Sequence, residues 1–443
     1  MSTAPRTTAS ASATKVTDVL QITGGTPLAG TVDIQGGKNI ALHLYAAALA
    51  CDGPTVLHNA PGIIDTDVCA AILRHTGAET TYSAGEFRVI PTNHPFPEVH
   101  PTLGTRVRVS TVLGAAVLAR TGRVSMPRPG GDAFCPRLID RHLAAMTAAG
   151  ATVTDDGHTI RAWVGPHGPS PFRVDVNTPY GPSMGATVTA LLLAARAPGT
   201  SLITHPSIEP EVVNTAAFLT AAGAGIHWDD DGLHVNGADH LTGSVHTVPG
   251  DRIEAATWAM ACAATGGHVV LEGITLADLP AGLTAVLREA GVTLANLRHA
   301  VAVLAPDRLA PVTVSTGPHP GLPTDTQPQL TAMLTRSQGA STVTETVYPR
   351  RDTHVAGLRA FGADIATDGS RITVRGPVRL RPADVRADDI RAATAYVVAA
   401  LTAEGTSTIR AVYHLRRGYE RLLPTLATLG ADATLTPTET HTA

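Results

Sequence analysis

DVCAAILRHTGA, residues 67–78, is the stretch whose reading decides the fold. Its apolar residues recur at helical spacing, and the pattern stops at Thr76-Gly77-Ala78. Glycine just past the last periodic residue supplies the left-handed backbone that ends a helix. The same ending returns at nearly even intervals, at Ala149-Gly150-Ala151, Ala222-Gly223-Ala224, Ala290-Gly291-Val292, Phe361-Gly362-Ala363 and Leu429-Gly430-Ala431. A short β-rich stretch follows each one. One unit is used six times.

Each unit reads as strand, helix, strand, helix, then one or two strands, as at residues 30–35, 38–50, 55–58, 65–76 and 87–90. This is mixed α/β patterning. The units are too long for a solenoid and too many for one sheet, so two domains of three units are expected. Pro249-Gly250 breaks the chain at the crossing. The expected division is a tail at residues 1–16, a first domain at 38–248, and a second at 17–37 plus 249–437.

At 443 residues the chain calls for more than one core, and 44% hydrophobic content makes it globular. A net charge of −4 excludes a general basic face for nucleic acid or a membrane surface. Cys51, Cys69, Cys135 and Cys262 form no CxxC pair, so no disulfide framework, zinc site or other metal set is read, and a reducing cytoplasm fits. Residues 1–16 lack the apolar run of a secretory signal, and no stretch nears the ~18 apolar residues of a membrane span.

Lysine has nearly vanished from this chain: only Lys15 and Lys38 remain among 33 basic residues. Lys38 follows Gly36-Gly37 and opens an apolar helix. A cation there opposes the helix dipole unless an anion shares the spot. A solvated lysine and an anion ligand are both open readings.

Charges recur at one phase of the unit. Counted back from the closing glycine, Lys38 precedes Gly77 by nearly the same interval as Arg108 precedes Gly150, Arg252 Gly291, Asp325 Gly362 and Arg391 Gly430. These are first-helix starts. Arg137, Arg351 and Arg417 stand closer to Gly150, Gly362 and Gly430, again at a matching interval, and start second helices. Equivalent ends of pseudo-symmetric units share a face, so two such domains would aim these cations into one cleft suited to phosphate or carboxylate.

Two carboxylates stand among the cations. Asp325 follows Thr324, which with Gln327 forms a capping box, leaving Asp325 as either a dipole partner or a base for a substrate hydroxyl. Asp132 sits in Pro127-Arg128-Pro129-Gly130-Gly131-Asp132, a loop read as a lid. Cys135 has no activating arrangement except His142 nearby and is read as structural.

Over residues 17–437 the chain resembles the enolpyruvyl transferases, and within them the UDP-N-acetylglucosamine branch. The resemblance rests on Gly-Gly-Lys38-Asn39, Pro129-Gly130-Gly131 followed by Arg137, Gly185-Ala186-Thr187, Glu209-Pro210-Glu211, Asp251-Arg252-Ile253-Glu254, Pro323-Thr324-Asp325-Thr326-Gln327, Asp389-Ile390-Arg391 and His414-Leu415-Arg416-Arg417-Gly418-Tyr419-Glu420. It implies two inside-out α/β barrels, each of three βαβαββ units, closing on phosphoenolpyruvate and a hydroxyl acceptor without a cofactor. Addition of the hydroxyl to C2 with protonation of C3 is followed by loss of phosphate and of the C3 proton.

By the same resemblance Lys38, Arg137 and Arg417 hold the phosphate, Arg351 and Arg391 the carboxylate end, and Arg108 supports the cleft. Asp325 deprotonates the acceptor. Asp389 and Asn39 orient the acceptor or reacting carbon. Asp132 takes the place of the family's lid cysteine as acid at C3. Arg137, Asp140, Ser183 and Gly185 fall on the nucleotide side, with Arg252 among the binding residues.

The acceptor half departs from the pattern. Gly181 stands where the sugar-nucleotide enzymes place a lysine on the diphosphate, Asn214 replaces an Asp, Arg350 an Asn and Arg416 an acidic residue. The expected acceptor is therefore a uridine nucleotide: first UMP through its 3′-hydroxyl, as in enolpyruvyl transferases of nucleoside-antibiotic pathways, and second UDP-N-acetylglucosamine. A catalytically silent nucleotide-binding regulator is the reading from another class.

Overall fold

The computed structural model describes residues 15–132, 134 and 138–440. All six motif glycines have positive φ, from +77° at Gly430 to +116° at Gly223. This is the backbone that glycine adopts without a Cβ clash. Each closes an outer helix: Ile64–His75, Asp140–Ala148, Pro210–Ala221, Ala281–Glu289, Val355–Ala360 and Leu422–Thr428.

Ahead of each outer helix runs an inner one: Lys38–Ala50, Ser110–Thr121, Met184–Ala195, Arg252–Thr265, Gln327–Leu334 and Ile390–Thr402. The Lys38 helix is buried at every position but Asn39, as a helix apolar on all sides must be. Its alanine run lets neighbouring backbones approach closely. The first three inner helices pack on one another, and so do the last three. Buried apolar residues accordingly form two cores, one from Ile40 to Val248 and one from Leu20 to Ile34 joined by Ala255 to Leu429.

Sheets lie outside the helices. In the first unit Thr55–His58 pairs antiparallel with Glu86–Ile90, which pairs with Glu79–Ser83. Parallel strands tie each unit to the next: Arg173–Asp175 joins Gly199–Thr204, and Thr313–Ser315 joins Ala340–Thr344. Val245–Thr247 returns to Thr55–His58, and Ala29–Asp33 joins His268–Glu272, so each set of three units is linked in a ring. Among the described residues the sheets stay separate, and none closes into a hydrogen-bonded barrel.

The sixth unit is discontinuous. Its strand Gly405–Arg410 pairs with Lys15–Gly24, which pairs in turn with Asp432–Thr440. The start of the chain thus fills the middle of the last sheet. This strand takes in Lys15 and Val16 from the stretch read as tail, and its partner runs past position 437 to Thr440.

The chain crosses between the cores twice, side by side. Gly36 bridges Gly250, the Gly37 amide donates to the Pro249 carbonyl at 2.7 Å, and that of Asp251 donates to the Gln35 carbonyl at 2.8 Å. A Cβ at Gly36 would meet the Asn59 carbonyl oxygen at 1.7 Å. Only glycine passes there.

Candidate active site

The crossing brings two inner-helix N-termini together under one carboxylate. Asp251 Oδ1 accepts from the Ile253 and Glu254 amides of its own helix at 2.8 and 3.2 Å, while Oδ2 accepts from the Lys38 amide of the other at 3.1 Å. Lys38 is only 7% exposed, so the solvated-lysine reading is corrected. Its Nζ lies 2.9 Å from Asp65 Oδ2. Burial pushes the ammonium below its ordinary pKa, Asp65 pulls it back, and repulsion from Arg417 and Arg391 lowers it again.

Arg417 reaches the same carboxylate from the far end of the chain, with Nε 2.8 Å from Asp65 Oδ1 and Nη2 3.1 Å from Oδ2. Its Nη1 donates to Asp132, whose Oδ1 lies 3.7 Å from His414 Nδ1. Burial opposes ionisation of Asp65, yet Lys38 and Arg417 outweigh it and hold the carboxyl below its usual range.

A second cluster adjoins the first. Asp325 accepts from Arg351 Nη1 at 2.7 Å and from Arg391 Nε and Nη2 at 3.1 and 2.8 Å. Burial works against its charge, but Arg391 and Arg351 hold it far below the usual carboxylate range. Thr324 donates to Glu345 at 2.9 Å and accepts from Arg351 at 3.0 Å rather than capping, a correction to the capping-box reading. Asp389 caps the Arg391 helix through the Arg391 and Ala392 amides at 2.8 and 3.0 Å and accepts from Thr353 Oγ1.

Other expected residues lie beside these clusters. Asn39 and Arg252 line a pocket with Glu211, Asn214, Asp251 and His319. Arg252 is taken up by two glutamates, Glu211 at 3.0 Å and Glu209 at 2.7 Å. Burial and the charge of Glu211 push the Glu209 carboxyl upward, partly offset by Arg252. Arg108 donates to the Leu138 carbonyl at 2.7 Å and helps burial hold His142 neutral, at about 3. His142 fills the room a side chain would need at Gly185, and Ser183 caps the Met184 helix through the Ala186 amide at 3.3 Å. Asp140, 63% exposed and beside Arg141, stands outside both clusters. Arg137 and Cys135 fall outside the described residues.

The cations of the cleft are thus paired. Each cation of the two clusters, and Arg252 beside them, has a buried or half-buried carboxylate partner. Unpaired charges at such depth would cost several kcal/mol each. No site role was expected of the acids Asp65, Glu209, Glu211 and Glu345, although Glu209 and Glu211 belong to a motif of the resemblance and the same count finds Asp65 and Glu211. Asp65 precedes Gly77, and Glu211 precedes Gly223, by nearly the interval that separates Arg351 from Gly362 and Arg417 from Gly430. Only the two acids, however, stand in the first turn of an outer helix; Arg351 and Arg417, expected to start theirs, lie in the connections ahead of Val355–Ala360 and Leu422–Thr428, a correction.

The loop carrying Asp132 crosses between the lobes. At its root a Cβ on Gly130 would meet the Thr105 carbonyl oxygen at 1.5 Å. Beyond Asp132, the Phe134 ring lies edge-on to Tyr348 at 5.3 Å, with the Arg351 guanidinium 4.1 Å from its centre. A residue of the first lobe therefore covers a cation of the second.

The family model for EPSP synthase (3-phosphoshikimate 1-carboxyvinyltransferase) matches residues 22–426. UDP-N-acetylglucosamine 1-carboxyvinyltransferase 3 of Symbiobacterium thermophilum is 39% identical over 423 residues, covering 93% of this chain and 97% of its own. UDP-N-acetylglucosamine 1-carboxyvinyltransferase 1 of Halalkalibacterium halodurans is 37% identical over 414 residues, 93% of each chain. Among solved structures, the enolpyruvyl transferase NikO from Streptomyces tendae superposes with a TM-score of 0.86 at 27% identity, covering 96% of this chain and all of its own. With its α/β fold, its paired-charge clusters and relatives matched along nearly their whole length, the chain belongs to the enolpyruvyl transferase family and is a transferase.

Proposed function

We propose that this enzyme moves the enolpyruvyl group of phosphoenolpyruvate to a hydroxyl of a uridine nucleotide, in the gap between two lobes that each wrap sheets around three helices. The observation that carries the reading is the pair of adjoining clusters, Lys38–Asp65–Arg417–Asp132 and Arg351–Asp325–Arg391. They match a donor with a phosphate at one end and a carboxylate at the other. Charge-assisted bonds to such groups contribute ~1.5–3 kcal/mol each.

In this reading Lys38 and Arg417 take the phosphate, with Arg137 beside them, and Arg351 and Arg391 take the carboxylate. An arriving carboxylate competes with Asp325 for its two guanidinium partners. Asp325 is then released as a stronger base for the acceptor hydroxyl, which adds to C2 as Asp132 or the acidified Lys38 delivers a proton to C3. Loss of that proton expels phosphate into the cation cage, which stabilises the leaving charge most where it is largest. Asp389 and Asn39 orient the reacting groups.

The relatives favour UDP-N-acetylglucosamine as acceptor, which the sequence reading placed second. One local observation favours UMP. Gly181 has φ +101°, and a Cβ there would meet Pro318 Cγ of the other lobe at 2.8 Å, so the place of the family's diphosphate lysine is closed by a proline. Phosphate release from phosphoenolpyruvate, measured with each nucleotide, decides. Release with UDP-N-acetylglucosamine alone supports the sugar nucleotide as acceptor, and release with UMP alone supports UMP. Release with neither would overturn the transferase assignment to uridine nucleotides and favour a silent regulator.

A further inference from the structure

On the outer sheet of the third unit, strands Gly225–Asp229 and Gly232–Gly237 form a hairpin in which His227 and His234 are directly opposed. Their rings lie almost parallel, 10° apart, with centres 4.7 Å from each other. Asp229, next but one after His227, falls on the same face of its strand. Its Oδ2 lies 2.9 Å from His234 Nε2. One ligand atom from each of the three lies within 4.8 Å of the others.

We infer that these three side chains form a binding site for a zinc-class divalent ion, separate from the charge clusters of the cleft. Two imidazoles and a carboxylate are a borderline donor set that suits Zn²⁺, Ni²⁺ or Cu²⁺ rather than Mg²⁺ or Ca²⁺. The backbone does the positioning. The pairing register fixes the two histidines across the strands. Asp229 Oδ1 is held by the Asp231 and Gly232 amides at 2.9 and 3.2 Å, which orient the carboxylate as outer-shell donors orient a metal ligand.

Packing gives no competing reason for the cluster. His227 and Asp229 are exposed and His234 is half-buried, so none of them fills a core. Exposure also lowers the desolvation cost of taking up an ion. The ion would replace the Asp229–His234 hydrogen bond, pin the two strands together, and leave a coordination position for water.

The test is a zinc titration of the tag-free full-length enzyme by calorimetry, alongside His227→Ala, His234→Ala and Asp229→Asn. One ion per chain is expected in the wild type, with affinity falling ~10–100-fold or more in each variant. Cobalt provides a second readout, its visible d–d bands expected in the wild type and lost in both histidine variants. No binding by the wild type, binding unchanged in all three variants, or a cobalt spectrum dominated by thiolate bands would overturn the site. Phosphate release should not change in any variant, since the hairpin is not part of the proposed catalytic machinery.

Discussion

Asp65 lies 2.9 Å from Lys38, and the same carboxylate holds Arg417 from the far end of the chain. One buried acid thus joins cations from both lobes. Asp65→Asn leaves two buried cations without their shared counter-charge, a change that costs about 3–5 kcal/mol when one partner of a buried pair is removed. Urea unfolding at neutral pH measures it. Inorganic phosphate should restore the variant more than it stabilises the wild type, because the added anion takes the place of Asp65. A variant as stable as the wild type, or indifferent to phosphate, would show that the pair is not coupled in this way.

His354 gives a pH dependence with a definite sign. It is fully buried, neither ring nitrogen has a hydrogen-bond partner among the described residues, and burial with Arg351 nearby pushes its pKa down to about 3. The unfolded chain, with histidine at ~6.5, binds the proton more readily. The contribution is therefore complete above pH ~6.5 and is lost as the pH falls toward 3. His354→Leu should match the wild type near pH 8 and exceed it by about 2–3 kcal/mol at pH 4.5. Chemical denaturation at the two pH values checks this.

The six-unit plan could be read from the sequence because its signals are local. A glycine that must take positive φ marks its position whatever packs around it, and all six did so. Partner choice is not local. Nothing near Gly405–Arg410 indicates that its neighbour is the first strand of the chain, and nothing near Arg417 points to Asp65. Lys38, Asp325 and Arg391 stood out as cations and a lone acid at matching helix starts. Asp65 and Glu211, the counter-charges of Lys38 and Arg252, were overlooked because a carboxylate at an outer-helix start also reads as ordinary dipole complementation.

Asp325→Asn tests the proposed base separately from binding. The amide keeps the shape but cannot take a proton, so kcat for phosphate release should fall ~10²–10⁴-fold. Stability should respond too. The Asp325 carboxyl is held far below its ordinary value, so its contribution is present at neutral pH and lost as the pH drops below ~4. The variant's stability should therefore fall less steeply with acid than the wild type's, measured by unfolding between pH 3 and 6.

Gly181→Ala tests the contact that narrows the acceptor side. The new Cβ would sit at φ +101° and meet Pro318 Cγ at 2.8 Å. Backbone strain of this kind costs on the order of 1–3 kcal/mol. Since the two residues belong to different lobes, the clash with Pro318 falls on closure, whereas the backbone strain stays at residue 181. KM for the nucleotide should rise more than kcat falls. Pro318→Gly in the same background should recover much of the loss, and failure to do so would locate the effect in the backbone at 181 alone.

Asp132 stands against Arg417 where the resemblance places a cysteine, and this determines how the enzyme meets an electrophile. A thiolate opens an epoxide readily, whereas a carboxylate held by a guanidinium is a weak nucleophile. Epoxide inhibitors that alkylate the lid cysteine of relatives should leave this enzyme active, with no mass added to residues 129–140 after incubation. Asp132→Cys should make the lid susceptible while keeping part of the transfer activity, because a thiol can also carry the C3 proton. Asp132→Asn should remove both, with kcat down by ~10²-fold or more. Labelling of the wild-type lid at the rate of the cysteine variant would mean that the carboxylate does not protect it.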